Sequence, residues 1–272
     1  MAVQVKNYTT YNFFKFLAAE RRINIGLMTK TIILIPSRLE ATRLPNKPLL
    51  KIQNKSLINH VYEKGKSTNI GEVYVATGDK EIFEDVIKNN GKCILTKKNH
   101  FTGTDRIFEA YEKLNQNDID YIINLQGDEP LIDARDIINL NNLAINNNSE
   151  IATLACEIQA KDIYNKNVVK VITSQNIKKN NISKATTFLR MVNDKNLTNI
   201  YHHIGIYIYK VSTLKRFIEL KQSDNEINLK LEQMRALDNN INIDVVLANT
   251  PPVGVDTHED YLEIKKLMEY KS

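Results

Sequence analysis

One stretch limits what this chain can fold into more than any other. Tyr121–Pro130 reads YIINLQGDEP, an apolar run from Tyr121 to Leu125 broken by Gln126-Gly127-Asp128-Glu129-Pro130. The run has the length and composition of a strand buried on both faces. Gly127 lets the backbone turn and Pro130 stops the strand from continuing. Asp128 is thereby left at the carboxyl end of a central strand, the edge where open α/β sheets bind their ligands. Taken alone, a Gly-Asp pair more often opens a loop or caps a helix, so the weight falls on the rest of the chain.

Around this strand the chain alternates. Thr31–Pro36, Val73–Thr77 and Lys92–Thr96 read as strands, while Ser56–Ser67, Glu81–Asn89, Thr104–Leu114 and Asp133–Ile145 have helical spacing. Such alternation predicts parallel strands joined by right-handed crossovers. The expected architecture is α/β, a Rossmann-like three-layer α/β/α sandwich with a mostly parallel central sheet. The second half changes character. Strands are expected at Ile151–Ile158, Val168–Thr173, Ile204–Tyr209 and Ile243–Val246, and helices at Ser212–Leu220, Glu226–Leu237 and His258–Met268. Gln175–Ser183 reads as polar and mobile, and the region near 155–210 as a small β-rich insertion, a lid or a dimerisation platform.

The 272 residues suffice for one domain, assigned to 30–272. Residues 1–29 do not fit it. They carry an aromatic cluster (Tyr8, Tyr11, Phe13, Phe14, Phe16) and Arg21-Arg22, without the apolar core or small-residue cleavage site of a secretory signal. They are taken as a loose or non-native arm, with Met28 as the natural start. No apolar run approaches the ~20 residues that span a bilayer, which predicts a soluble, cytoplasmic protein without a membrane partner. Cys93 and Cys156 are far apart and give neither a metal spacing nor a disulfide framework. The net charge of +5 is spread along the chain, which argues for anionic ligands weakly and not for nucleic acid. The abundance of Asn, Ile and Lys is attributed to genome composition.

The loop after the first strand carries the first chemistry. It reads IPSRLEATRLPNKPL from Ile35 to Leu49 and holds three cations, Arg38, Arg43 and Lys47. Arginine offers a planar fork for phosphate oxygens and lysine a compact point charge. Pro45 and Pro48 restrict the backbone around Lys47. Neither GxxxxGK[ST] nor GxGxxG is present, so the usual ATPase and dinucleotide fingerprints are absent.

IPSRLEATRLPNKPL resembles the signature of the sugar nucleotidyltransferases. VATGD, HFTGTDR, NLQGDEP, HHIGIYIYK, LEQMRAL and GVDTHED follow in the order seen in the 3-deoxy-manno-octulosonate (Kdo) cytidylyltransferase family. The resemblance covers Thr31 to Met268. It implies CTP over the carboxyl ends of the first strands, with Arg38, Arg43 and Lys47 against its triphosphate. Thr77, Thr102, Gly103 and Thr104 would meet the cytidine, and Arg106 would support their loop. Asp128 and Asp256 are then the Mg²⁺ carboxylates, a pairing that suits a metal preferring oxygen ligands and retaining waters. Gln126, Lys184, His203, Tyr207 and Glu226 would meet the acidic sugar Kdo. For Glu232, Gln233 and Arg235 a ligand contact and a core-flanking or dimer-facing helix weigh equally.

The implied reaction is attack of the Kdo anomeric hydroxyl on the α-phosphorus of CTP, releasing pyrophosphate and activating Kdo for lipopolysaccharide synthesis. Arg38, Lys47, Asp128 and Asp256 are the catalytic candidates, in a homodimeric enzyme. A CMP-sialic acid synthetase, or a non-catalytic nucleotide-binding protein, is the alternative. Four positions depart from the pattern. Asn46 replaces a glycine, Gly78 separates Thr77 from Asp79, Lys184 stands for an arginine, and Leu229 fills an often acidic position.

Overall fold

The computed structural model describes residues 29–40, 43–192, 197–249, 251 and 254–270. The arm up to Met28 lies outside the described residues. In chain order the strands are β1 (Thr31–Ser37), β2 (Lys51–Ile52), β3 (Lys55–Ser56), β4 (Val73–Thr77), β5 (Cys93–Leu95) and β6 (Tyr121–Asn124). They continue with β7 (Ile151–Glu157), β8 (Lys170–Thr173), β9 (Ile182–Leu189), β10 (Ile200–Lys210) and β11 (Ile243–Leu247). The α-helices are α1 (Leu57–Ser67), α2 (Lys80–Lys88), α3 (Gly103–Leu114), α4 (Ala134–Asn146) and α5 (Ile177–Asn180). After them come α6 (Val211–Glu219), α7 (Asp224–Leu229), α8 (Met234–Asp238) and α9 (His258–Glu269).

Alternation along β1 builds the three layers. Ile33 and Ile35 pack with Ile58 and Val61 of α1, Val86 of α2 and Leu140 of α4 on one face. Ile32 and Leu34 pack with Ile107 and Ala110 of α3 and with Leu214 and Phe217 of α6 on the other. Because strand side chains point alternately up and down, a strand covered on both faces must be apolar throughout. TIILIPS meets that demand.

The sheet is mixed, which corrects the mostly parallel expectation. Its order is β5-β4-β1-β6-β10-β7-β11-β9-β8, and β8 also pairs with β10. Parallel pairing is confined to β4–β5, β1–β4, β1–β6 and β7–β11, and β10 runs antiparallel to β6, β7 and β8. An apolar run buried on both faces looks the same in either direction, so composition could not reveal the reversal. The β-rich region joins this sheet, where β10, β7, β11, β9 and β8 pair in a closed ring.

Two local expectations also change. Gln175–Ser183, expected to be mobile, holds α5, capped by the Asn176 side chain and anchored by the fully buried Ile177, and then enters β9. The single helix expected over Glu226–Leu237 is broken between α7 and α8, where Lys230 takes a left-handed φ of 54°. The abundant asparagine has a structural use besides. Nine of the eleven described non-glycine residues with positive φ are Asn, and no described glycine has positive φ. Asparagine tolerates that region better than other side chains with a Cβ.

Buried charges hold the second half together. The fully buried Lys170 ammonium donates to the carbonyls of Asn165, Val168 and Arg190 at 2.6, 2.8 and 2.9 Å. Arg235 forks onto both oxygens of Glu226, Nε to Oε2 at 2.8 Å and a terminal nitrogen to Oε1 at 2.5 Å. Burial pushes the Glu226 carboxyl up, but the hydrogen bonds from Arg235, Gln222 and Ser223 and the Arg235 charge together outweigh it and hold the group below its ordinary range. Truncating one member of such a pair leaves a buried charge alone. Arg235→Ala is therefore expected to lower unfolding free energy by about 3–5 kcal/mol in urea titration. The double variant Glu226→Gln with Arg235→Met should lose less, because no uncompensated charge remains.

Candidate active site

At the carboxyl ends of β1 and β6 lies a cavity of about 760 Å³. The polypeptide must turn sharply there. Gly127 has Pro36 O and Ile58 Cδ1 at 3.1 and 3.2 Å from where a Cβ would stand, so a side chain would press on the β1 backbone. One wall is the loop after β1, bearing Arg38, Arg43 and Lys47. The loop reaches its short 3₁₀ turn Lys47–Leu49 through Asn46 at φ 55°, so asparagine keeps the turn expected of the usual glycine.

Lys47 is the junction of the site. Its Nζ donates to Asp128 Oδ2 at 2.7 Å and to the Val255 carbonyl at 2.8 Å, and lies 3.5 Å from Asp256 Oδ1. Arg43 reaches Asp256 Oδ2 at 3.2 Å. A backbone bond from Val255 N to Asp128 O at 2.9 Å joins the β6 and C-terminal segments directly. Two hard oxygen donors from distant parts of the chain thus converge on one cation. Among the described residues no group of three or more His, Cys, Asp or Glu side chains is arranged to hold a metal.

Glu129 belongs to this corner and its role was not read from the sequence. Its Oε2 is buried without a hydrogen-bond partner. Burial, and then the neighbouring charges of Asp128 and Asp256, push the carboxyl up to about 8. The acidic run after Gly127 was visible, but one-dimensional spacing does not say which acid faces inward.

The opposite wall is the start of α3. Thr102 caps the helix, its hydroxyl accepting from Asp105 N at 3.1 Å while Asp105 Oδ2 accepts from Thr102 N. Gly103 lies against Pro36, and Gln126 lines the floor. Arg106 is buried and donates to Thr96 Oγ1, Lys97 O and Lys98 O at 2.8, 3.1 and 3.0 Å, so it fastens the loop that leads to α3.

Residues 32–243 match the family described as cytidylyltransferase. A 3-deoxy-manno-octulosonate cytidylyltransferase of Brucella canis is 42% identical over 234 residues, covering 85% of this chain and 92% of that protein. Its counterpart in Thermodesulfovibrio yellowstonii is 43% identical over 243 residues, covering 85% and 94%. The chain belongs to the 3-deoxy-manno-octulosonate cytidylyltransferase family. A solved CMP:2-keto-3-deoxy-manno-octonic acid synthetase, complexed with CTP, superposes with a TM-score of 0.83 at 33% identity, covering 90% of this chain and all of that one. A UDP-glucose pyrophosphorylase shares the fold alone, at a TM-score of 0.67 and 15% identity.

Of the residues expected to act in this cytidylyltransferase, Arg38, Arg43 and Lys47 line the cavity together with Asp128 and Asp256. Thr102, Gly103, Arg106 and Gln126 line it too. Thr77 and Thr104 sit behind that wall. Thr77 is fully buried and accepts from Asp79 N at 3.1 Å, and Thr104 donates to Glu232 Oε2 at 2.8 Å. Burial raises the Glu232 carboxyl, whose Oε1 has no partner. Lys184 is exposed on β9, opposite Asp244 of β11. Glu226, expected at the sugar, is a buried helix cap whose oxygens are occupied by Arg235, Gln222 and Ser223.

His203 and Tyr207 share one face of β10, their rings 5.5 Å apart, with Phe188 edge-on to His203 at 5.1 Å. Gly205 lies between them in sequence, and a Cβ there would meet only Gln126 Cγ at 4.0 Å, which brings this face to the floor of the cavity. Thr153 has one hydroxyl proton and two carbonyls, Ile204 O and Ile206 O, to receive it. His203 Nε2 lies 3.1 Å from Thr153 Oγ1, so the histidine is tied to the hydroxyl that also meets these two carbonyls.

Burial, with a smaller contribution from His202, depresses His203 from 6.5 to about 3. The folded histidine stays neutral where the unfolded one is protonated. Its contribution to stability is present above about pH 6.5 and lost as pH falls toward 3. Thermal unfolding should shift down on acidification from pH 6.5 to 4, by up to about 1.4 kcal/mol per pH unit from this group. His203→Gln should flatten that slope relative to wild type.

Proposed function

We propose that this chain transfers the CMP group of CTP to Kdo, forming CMP-Kdo and pyrophosphate. The observation that carries the proposal is the convergence of Lys47 and Arg43 with Asp128 and Asp256 inside a cavity at the sheet's carboxyl edge. The relatives named for this activity share over 40% of their aligned residues with it. The resemblance of the LEQMR and GVDT motifs favours Kdo over another acidic sugar.

Asp128 and Asp256 would hold Mg²⁺. The donor set fits, since both are hard oxygen ligands that already approach a common cation, the Lys47 ammonium. A pair of carboxylates leaves the other positions to phosphate oxygens and water, which is how Mg²⁺ is commonly bound. When bound, the ion neutralises phosphate charge and polarises the α-phosphate.

The chain's own groups do the rest. Lys47, Arg43 and Arg38 take the triphosphate and offset the charge that builds on the α-phosphorus and the departing pyrophosphate. Arg106 keeps the loop before α3 in place, and Gln126 with the His203–Tyr207 face receives the sugar. Catalysis of this kind is positioning and charge compensation, with no covalent protein intermediate.

Pyrophosphate release with CTP, Mg²⁺ and a panel of acidic sugars checks the proposal. Kdo should be turned over and sialic acid not. Asp256→Ala and Asp128→Asn should each lower kcat/KM by at least about a hundredfold while circular dichroism shows the wild-type fold. Near-wild-type turnover of either variant in Mg²⁺ would remove the carboxylate assignment.

We also infer a cytoplasmic homodimer. Tyr164, Met191 and Ile227 are exposed apolar residues on the three segments that Arg190 ties together by donating to the carbonyls of Lys166, Leu229 and Lys230. Sedimentation should give a dimer for wild type and a monomer for Met191→Arg.

A further inference from the structure

Phe101 is 97% exposed, the most exposed large apolar side chain among the described residues. It stands at the mouth of the cavity and also lines a smaller one of about 210 Å³ beside it. Its neighbours on both sides are fixed. His100 Nε2 pairs with Glu109 Oε2 at 2.5 Å, and the Thr102 backbone N–H is held by Asp105 in the helix cap. Behind it Arg106 grips the carbonyls of Lys97 and Lys98. The backbone is thus a rigid pedestal that holds an uncovered aromatic ring at the rim. Rotamer freedom is left to that ring alone.

We propose that Phe101 is a nucleotide-affinity residue that closes over the cavity and stacks on the pyrimidine ring of the bound nucleotide. The assignment rests on the proposed use of CTP. Lys47, Arg43 and the Asp128–Asp256 pair form one ion-paired cluster of the lining, which would take the triphosphate. Phe101 comes with Gly103 and Thr102 from the wall at the start of α3, with Arg38 shared between the main cavity and the smaller one beside it. A flat apolar face exposed to water matches a flat π-system, and the nucleobase is the one such group in the two substrates. A sugar acid offers hydroxyls and a carboxylate, which gain nothing from a phenyl ring. Stacking of this kind tolerates any base, so the residue adds affinity while selectivity stays with the polar groups of the wall.

The chain contains no tryptophan, so Phe101→Trp places a single reporter at the rim. Its emission should change on titration with CTP and stay constant with inorganic tripolyphosphate, both in Mg²⁺. By calorimetry, Phe101→Ala should weaken CTP about tenfold and leave tripolyphosphate within twofold, the size expected for one lost base–aromatic contact. The exposed side chain supports no core, so the variant should unfold with wild type. If wild type binds CTP while the tryptophan emission is unmoved and Phe101→Ala binds CTP as tightly, the stacking assignment is overturned. Equal weakening of CTP and tripolyphosphate would overturn it too, because the effect would then lie in the phosphate site. Wild-type protein that binds no CTP at all would remove the proposed function and this assignment with it.

Discussion

The site depends on one ammonium group. Lys47 Nζ is held by Asp128, by the carbonyl of Val255 and more loosely by Asp256, so a single cation links the loop after β1, the turn after β6 and the segment before α9. The Lys47 side chain is only 15% exposed, unlike the freely solvated pairs that contribute little. Arg43 pairs with the second carboxylate, and burial beside Asp128 and Asp256 disfavours a further negative charge on Glu129. Lys47 and Arg43 thus stand between the carboxylates and the open cavity, where an anion entering it would compete with Asp128 and Asp256 for both cations.

The two walls of the cavity are locked into each other rather than built side by side. Asp79 is buried after β4, and its Oδ2 accepts the Leu39 N–H at 2.8 Å, next to the cation loop. Gly78, which interrupts the family's usual Thr-Asp pair, packs directly under Lys98, since a Cβ there would lie 2.5 Å from Lys98 Cα and 2.8 Å from Lys97 O. The same loop is gripped from its other side by Arg106. Gly78 is thus explained by close approach, and Asp79 acquires a role in fixing the backbone beside Arg38. Neither follows from a motif comparison, because the Gly78 contact lies 20 residues away in sequence and the Asp79 contact 40.

What was legible in the sequence follows from how local the determining physics is. Strands β1, β4 and β6 announce themselves because burial on both faces demands a continuous apolar run. The Asn46 turn is legible because backbone sterics act within one residue. Strand β9 was missed because ISKATTFL is mostly half-exposed, and its pairing with β8 and β11 supplies what its own pattern lacks. The buried Glu226–Arg235 pair joins two helices that periodicity reads as one, and no local pattern shows that Glu226, placed at the sugar by the resemblance alone, is held by Arg235. The asparagines were taken for composition, yet most of the positive-φ turns rest on them.

The reversed direction of β10 carries side chains past the carboxyl edge of the sheet, where the cavity lies. Parallel strands deliver their ligand-facing groups only at their carboxyl ends, and β1 and β6 do so with Arg38 and Asp128 just beyond them. β10 pairs antiparallel with β6, with Tyr207 opposite Asn124 where β6 ends. The residues before Tyr207 must then overshoot that end and run alongside the turn that follows. Gly205 accordingly meets Gln126, and His203 lies one step further on. Two extra residues on β10, taken up between Ile204 and Tyr207 against a single step of β7, adjust this overhang where it passes the site. A parallel strand in the same place would reach the edge only with its last residue. The antiparallel insertion instead lays a wall of side chains past the edge, beside the turn that carries Gln126 and Asp128 into the cavity.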